Sequence, residues 1–103
     1  MKIKVVTNKD QIDISIAGNI DETGAEKLEN SFNKLDISQV KQVNINFRQI
    51  EYIGSAGVGS LLLLYKKLAL LNGKIIINEI PKEIYALLMH DMNLGQIFTL
   101  KSI

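Results

Sequence analysis

Cysteine is absent from this chain of 103 residues, which excludes disulfides, thiolate nucleophiles and cysteine-ligated metal. That absence fits a reducing compartment, and a soluble, cytoplasmic protein is the expectation. Histidine occurs once, as His90. One imidazole and no thiol leave neither a Cys-His pair nor a histidine metal cluster, and His90 reads as a partly exposed cation near a helix end. Arginine also occurs once, as Arg48, beside eleven lysines, and the net charge is only +1. Such a balance offers no basic footprint for nucleic acid. No long apolar run is present either. The greasiest window, Val58 to Leu71, is interrupted by Lys66 and Lys67 and falls short of the ~18 to 20 apolar residues that span a bilayer. The opening MKIKVVTNKDQIDIS meets charge before any signal-peptide core can form.

What remains is globular: 47% hydrophobic and 22% charged residues, enough for one core and one domain over residues 1–103. No repeat, linker or low-complexity segment divides it. Ile3 and Val5, then Ile12, Ile14 and Ile16, alternate as two strands around a turn at Thr7–Asp10, with Gly18 and Asn19 ending the second. DETGAEKLENSFNKL reads as a helix opened by a Thr23–Glu26 capping box, with Ala25, Leu28, Phe32 and Leu35 as its buried stripe. Val43, Ile45 and Phe47 alternate again. A second helix follows, with Val58, Leu61, Leu62, Tyr65, Leu68 and Ala69 facing the core and Gly73 closing it. Its extra leucines, Leu63, Leu64, Leu70 and Leu71, mean deep burial or a face for a partner. KIIIN has the continuous apolar pattern of a strand covered on both faces. Pro81 suits the first position of a third helix with Ile84, Leu87 and Leu88 inward, and QIFTL is a last strand. The order β-β-α-β-α-β-α-β predicts an α/β domain: a mixed, mostly parallel sheet with helices packed on it.

The distinctive stretch is EYIGSAGVGSLLLLYKK, where Gly54-Ser55-Ala56-Gly57-Val58-Gly59 opens the apolar helix. The spacing is neither a dinucleotide fingerprint nor a Walker loop, and no lysine follows the last glycine. A helix N-terminus does present free N–H groups, and Gly57 and Gly59 keep side chains clear of it. Ser55 stands at the predicted N-cap. Its hydroxyl has two readings, a structural cap or an acceptor for phosphate. A phosphate there would place about −1.5 to −2 charges at the positive end of the helix dipole.

Taken together, ISIAGNIDETGAEKLENSF, VNINFRQIEYIGSAGVGSLLLLYKKL and MNLGQIFTL resemble, in order and across the whole chain, a single STAS domain of the anti-sigma factor antagonist family. The resemblance implies a protein that binds an anti-sigma factor serine kinase, frees a sigma factor, and is switched off by phosphorylation of Ser55. It sets Asp21 at the loop aspartate beside the phosphorylated serine, and Gly57 and Gly59 at the motif glycines. The partner-binding set is Asp21, Glu22, Gly54, Ser55, Ala56, Gly57 and Gly59. The chain departs from the family pattern at Gly54, where an aspartate is common, and at Ala56, where Ser or Thr often stands. Gly54 keeps open another reading: a constitutive subunit of a larger assembly, such as a lipid-transport complex or signalling scaffold. No catalytic residues, metal, cofactor, nucleic acid, membrane insertion or small-molecule ligand are expected.

Overall fold

The computed structural model describes all residues from Met1 to Ile103. Strand β1 (Lys2–Asn8) and strand β2 (Gln11–Ile20) form an antiparallel hairpin around the two-residue loop Lys9-Asp10, with Lys9 left-handed at φ 57°. Helix α1 (Glu22–Asn33), strand β3 (Gln42–Ile53), helix α2 (Ser55–Ala69) and strand β4 (Lys74–Ile80) follow. The third helix, α3 (Lys82–Ala86), runs into a π-helical turn at Leu87–Asp91, and strand β5 (Thr99–Ser102) ends the fold. The five strands lie in sequence order, β1-β2-β3-β4-β5, and every pair after the hairpin is parallel. This is the mixed, mostly parallel sheet that the order of elements predicts.

The alternating isoleucines explain the layering. Ile12, Ile14 and Ile16 of β2, Val43, Ile45 and Phe47 of β3, and Ile75 and Ile77 of β4 all point to one face and are buried. Leu28 and Phe32 of α1 and Leu61, Leu64 and Leu68 of α2 close over them. The other face of the sheet is polar. Asp13 and Ser15 are exposed there, and Asn44 donates to Asp13 at 2.9 Å and accepts from Gln42 at 2.8 Å. Strand β4 is therefore covered on one face only, and Ile76 stays half-buried on the open side.

The longest strand, β3, bends by insertion against β2. In β3 the buried positions run Val43, Ile45, Phe47, Ile50, Ile53, so the spacing of two becomes three. The pairing with β2 jumps from Ser15–Asn46 to Ala17–Gln49, and again from Gly18–Ile50 to Asn19–Tyr52. Each jump is a β-bulge, an extra residue that turns the strand while keeping apolar side chains inward. Gly18 adopts φ 107° opposite the second of these, a conformation open to glycine, and β2 runs on to Ile20 rather than stopping at Gly18-Asn19.

Several local expectations change for identifiable reasons. The cap of α1 is Asp21, whose carboxylate accepts from the Gly24 amide at 2.8 Å, so Thr23 lies inside the first turn and makes no capping box with Glu26. Along α2 the inward stripe is Gly57, Val58, Leu61, Leu64 and Leu68; Leu62 and Tyr65 are half-buried and Ala69 is exposed. The left-handed residue after α2 is Asn72 at φ 59°, not Gly73. Asn72 donates to Ala69 at 3.1 Å and Gly73 to Leu68 at 2.8 Å, the paired bonds of a Schellman ending. Pro81 occupies the cap position before α3 rather than its first turn. The last strand starts at Thr99, because Gln96 to Phe98 still belong to the preceding turn.

Candidate functional site

The parallel strands β2 and β3 both end at the same edge, and each feeds a helix there. Ile20 and Ile53 are register partners, and the Gly54 amide donates to the Ile20 carbonyl at 3.0 Å. Asp21 directly follows Ile20, and Ser55 follows Gly54. The fold thus brings Asp21, Glu22, Gly54, Ser55 and Ala56 to one edge, with Asp21, Glu22, Ser55 and Ala56 all exposed.

Ser55 does not cap its helix. The N-cap is Gly54, in extended conformation (φ −99°, ψ 179°), and it supplies no side-chain bond. Ser55 is the first helical residue. Its hydroxyl is exposed and forms no hydrogen bond within the protein. The first bond of α2 runs from Val58 to the Gly54 carbonyl at 3.1 Å, which leaves the amides of Ser55, Ala56 and Gly57 without an intrahelical acceptor. A free hydroxyl therefore sits beside unpaired donors at the positive end of a 15-residue helix.

The two motif glycines do different things. A Cβ on Gly57 would lie 2.5 Å from Cγ2 of Ile20 and 3.0 Å from Cγ1 of Ile53, so only glycine lets the first turn press onto the strand ends. A Cβ on Gly59 would meet nothing within 4 Å. Gly59 leaves the outer face of α2 flat next to Ser55, a clearance that the internal packing does not need. Gly54 is covered by its neighbour. A Cβ there would stand 2.9 Å from the Tyr52 hydroxyl and 3.4 Å from two ring carbons, so the Tyr52 ring lies where a side chain at residue 54 would project.

Two contributors lie outside the expected set. Ser60 is buried, and its single hydroxyl proton is shared between the Ala25 carbonyl at 3.1 Å and the Ala56 carbonyl at 3.2 Å. It ties α2 to α1 directly behind the Asp21–Ser55 edge. Tyr52, more than half exposed, forms the rim beside Gly54. A serine five residues past Ser55 and an aromatic two residues before Gly54 are visible in the sequence, but only the packing distinguishes them from cap and strand residues. His90, in the π turn, stacks edge-on against Tyr85 with ring centroids 6.4 Å apart. No three His, Cys, Asp or Glu side chains converge as a metal site would need, and no helix is long and apolar enough to cross a membrane.

Comparison with known proteins agrees with this architecture. The model of the STAS domain matches residues 2–102. An anti-sigma factor antagonist from Mycobacterium paratuberculosis superposes with a TM-score of 0.82 at 22% identity, covering 99% of this chain and 86% of that one. The Bacillus cell fate determinant SpoIIAA in its phosphorylated form gives 0.75 at 17% identity, covering 96% and 90%. The unphosphorylated form of the anti-sigma factor antagonist SpoIIAA gives 0.68 at 16% identity, covering 84% and 83%. A comparison with curated protein sequences finds no match. The chain shares its fold with these antagonists, and with a family match over nearly its full length it belongs to the STAS domain family.

Proposed function

We propose that this protein is an anti-sigma factor antagonist, a non-enzymatic cytoplasmic regulator that binds an anti-sigma factor serine kinase and so frees a sigma factor. Phosphorylation of Ser55 ends that binding. The observation that carries the reading is the exposed, unbonded hydroxyl of Ser55 at the N-terminus of α2, beside the exposed Asp21 and Glu22. A kinase needs a reachable hydroxyl, and this one has no structural duty to give up. A phosphate would bring about −1.5 to −2 charges to the helix N-terminus, which the fold tolerates because the dipole favours it. In a desolvated contact with a partner the same charge is costly, and this difference makes the switch. That SpoIIAA has been solved in both phosphorylated and unphosphorylated forms supports the idea for a protein of this fold.

The partner surface in this reading comprises Asp21, Glu22, Gly54, Ser55, Ala56, Gly57 and Gly59, with Tyr52 at its rim. Gly57 acts from within, by setting the height of the helix, and the others touch the partner. Affinity capture from the source cell with wild type and Ser55→Asp tests the proposal. Recovery of a histidine-kinase-like ATPase by wild type alone supports it. Recovery of a transporter or scaffold component by both forms supports a constitutive subunit instead.

A further inference from the structure

The ladder between β3 and β4 stops early. Its pairs run from Gln42–Lys74 to Asn46–Asn78, and no backbone pair joins the two strands beyond that point. Immediately past it both strands carry a bulge. Strand β3 gains its extra residue between Asn46 and Gln49, where Arg48 sits. Strand β4 gains one between Ile77 and Ile80, where Glu79 adopts φ 52°. A left-handed backbone is costly for a residue with a Cβ, and glycine would relieve it. Such a conformation persists where the surrounding structure fixes it, and at Glu79 the side chain supplies contacts that do so.

The side chains fill the gap that the ladder leaves. Asn46 accepts the Arg48 amide at 2.9 Å through Oδ1 and donates through Nδ2 to Oε2 of Glu79. The other oxygen of Glu79, Oε1, faces Nη1 of Arg48 at 3.5 Å. Arg48 is the sole arginine of the chain. An exposed ion pair alone contributes little. Here one carboxylate joins an amide and a guanidinium from the neighbouring strand, and the amide also holds the bulge beneath the guanidinium. A few residues further on, these strands deliver Gly54-Ser55 and Pro81.

We propose that Asn46, Arg48 and Glu79 are positioning residues: their clasp replaces the missing β3–β4 ladder, holds the ends of the two strands together, and so fixes the starts of α2, with Ser55, and of α3 where those strands deliver them. Its importance for partner docking rests on the function proposed above, but the clasp itself is testable without a partner. The experiment is amide hydrogen exchange by NMR on the whole chain, in wild type, Glu79→Gly, Glu79→Gln and Arg48→Met. The reporters are the amides of Gly54, Val58 and Tyr85, which bond Ile20, Gly54 and Pro81 at 3.0, 3.1 and 2.8 Å. The controls are α1 amides. Glu79→Gly removes the strain together with the clasp. Its thermal midpoint should hold or rise while the reporters exchange about tenfold faster relative to the controls, as a locally opening segment does. Glu79→Gln keeps the acceptor for Asn46 and should lie between wild type and Glu79→Gly. Arg48→Met, which leaves the left-handed residue in place, should also accelerate the reporters selectively. Reporters unchanged relative to the controls in Glu79→Gly and Arg48→Met overturn the proposal. So does equal acceleration of every amide, which would make the three side chains contributors to global stability only. Failure of kinase capture with a working clasp would instead count against the functional reading alone.

Discussion

The amide of Gly54 donates to the carbonyl of Ile20 at 3.0 Å, and this bond joins the two strand ends that carry Ser55 and Asp21. It is a backbone contact, so exchanging the side chain of Ser55 removes neither of its bonding groups. Substitutions at Ser55 can therefore be read as changes of surface chemistry on a retained frame.

Asp21 has a structural task of its own. It caps α1 by accepting the Gly24 amide at 2.8 Å. Asp21→Ala should lower stability by about 0.5 to 2 kcal/mol, and Asp21→Asn should keep most of the cap. Urea unfolding of the two variants separates loss of the cap from loss of the charge.

Gly57 and Gly59 should respond oppositely to alanine. At Gly57 the new methyl collides with Ile20 and Ile53, and the loss expected for overpacking is about 1 to 3 kcal/mol. At Gly59 it meets open space, and the gain in helix propensity is up to about 1 kcal/mol. Thermal denaturation measures both, and a stabilised Gly57→Ala would show that α2 sits higher over the sheet than described.

The rotation of α2 makes a graded prediction for its leucines. Leu61 and Leu64 are fully buried, so either change to Ala should cost about 2 to 5 kcal/mol. Leu62 is half-buried and should cost clearly less, and Leu63, largely exposed, should shift the denaturation midpoint little.

Ser60 is the buried hydroxyl of the site region, bonded to the carbonyls of Ala25 and Ala56. Ser60→Ala should lose about 0.5 to 1.5 kcal/mol, the usual net contribution of such a bond. Ser60→Val should lose more, because the extra volume must enter the α1–α2 contact. Chemical denaturation in parallel with Ser55→Ala distinguishes the bonded serine from the free one.

The sequence was most informative where one periodicity dominates. Alternating apolar residues, Ile12, Ile14 and Ile16 and then Val43, Ile45 and Phe47, can belong only to strands with one buried face, and the order of elements then settles the sheet. The rotation of α2 was legible only in part: Val58, Leu61 and Leu68 face the core as expected, but with leucines all round the helix Leu64 is buried in place of Leu62, Tyr65 and Ala69. Contact between Gly57 and Ile20 decides it. The cap of α1 was misread because Asp21 and Thr23 are both good caps, and the choice depends on where β2 ends. That end was hidden by Gly18, which looks like a terminator but serves a bulge inside the strand. At the site the cluster itself was legible. The role of its serine was not: a serine between glycines before a helix reads as a cap, and only the extended backbone of Gly54 shows that the cap lies one residue earlier.

The central claim is that Ser55 is a switch and not a cap, and titration calorimetry against the captured serine kinase tests it most directly. Ser55→Ala removes a hydroxyl with no bond, so it should fold within about 0.5 kcal/mol of wild type and bind the kinase as wild type does. Ser55→Asp places a charge at the N-terminus of α2, which favours the helix by about 0.3 to 1 kcal/mol. In the contact, that charge should weaken binding by about 1 to 3 kcal/mol. Phosphorylated protein should bind more weakly still. Equal affinity for wild type, Ser55→Ala and Ser55→Asp, with no phosphate appearing on Ser55 when the kinase and ATP are present, would contradict the account.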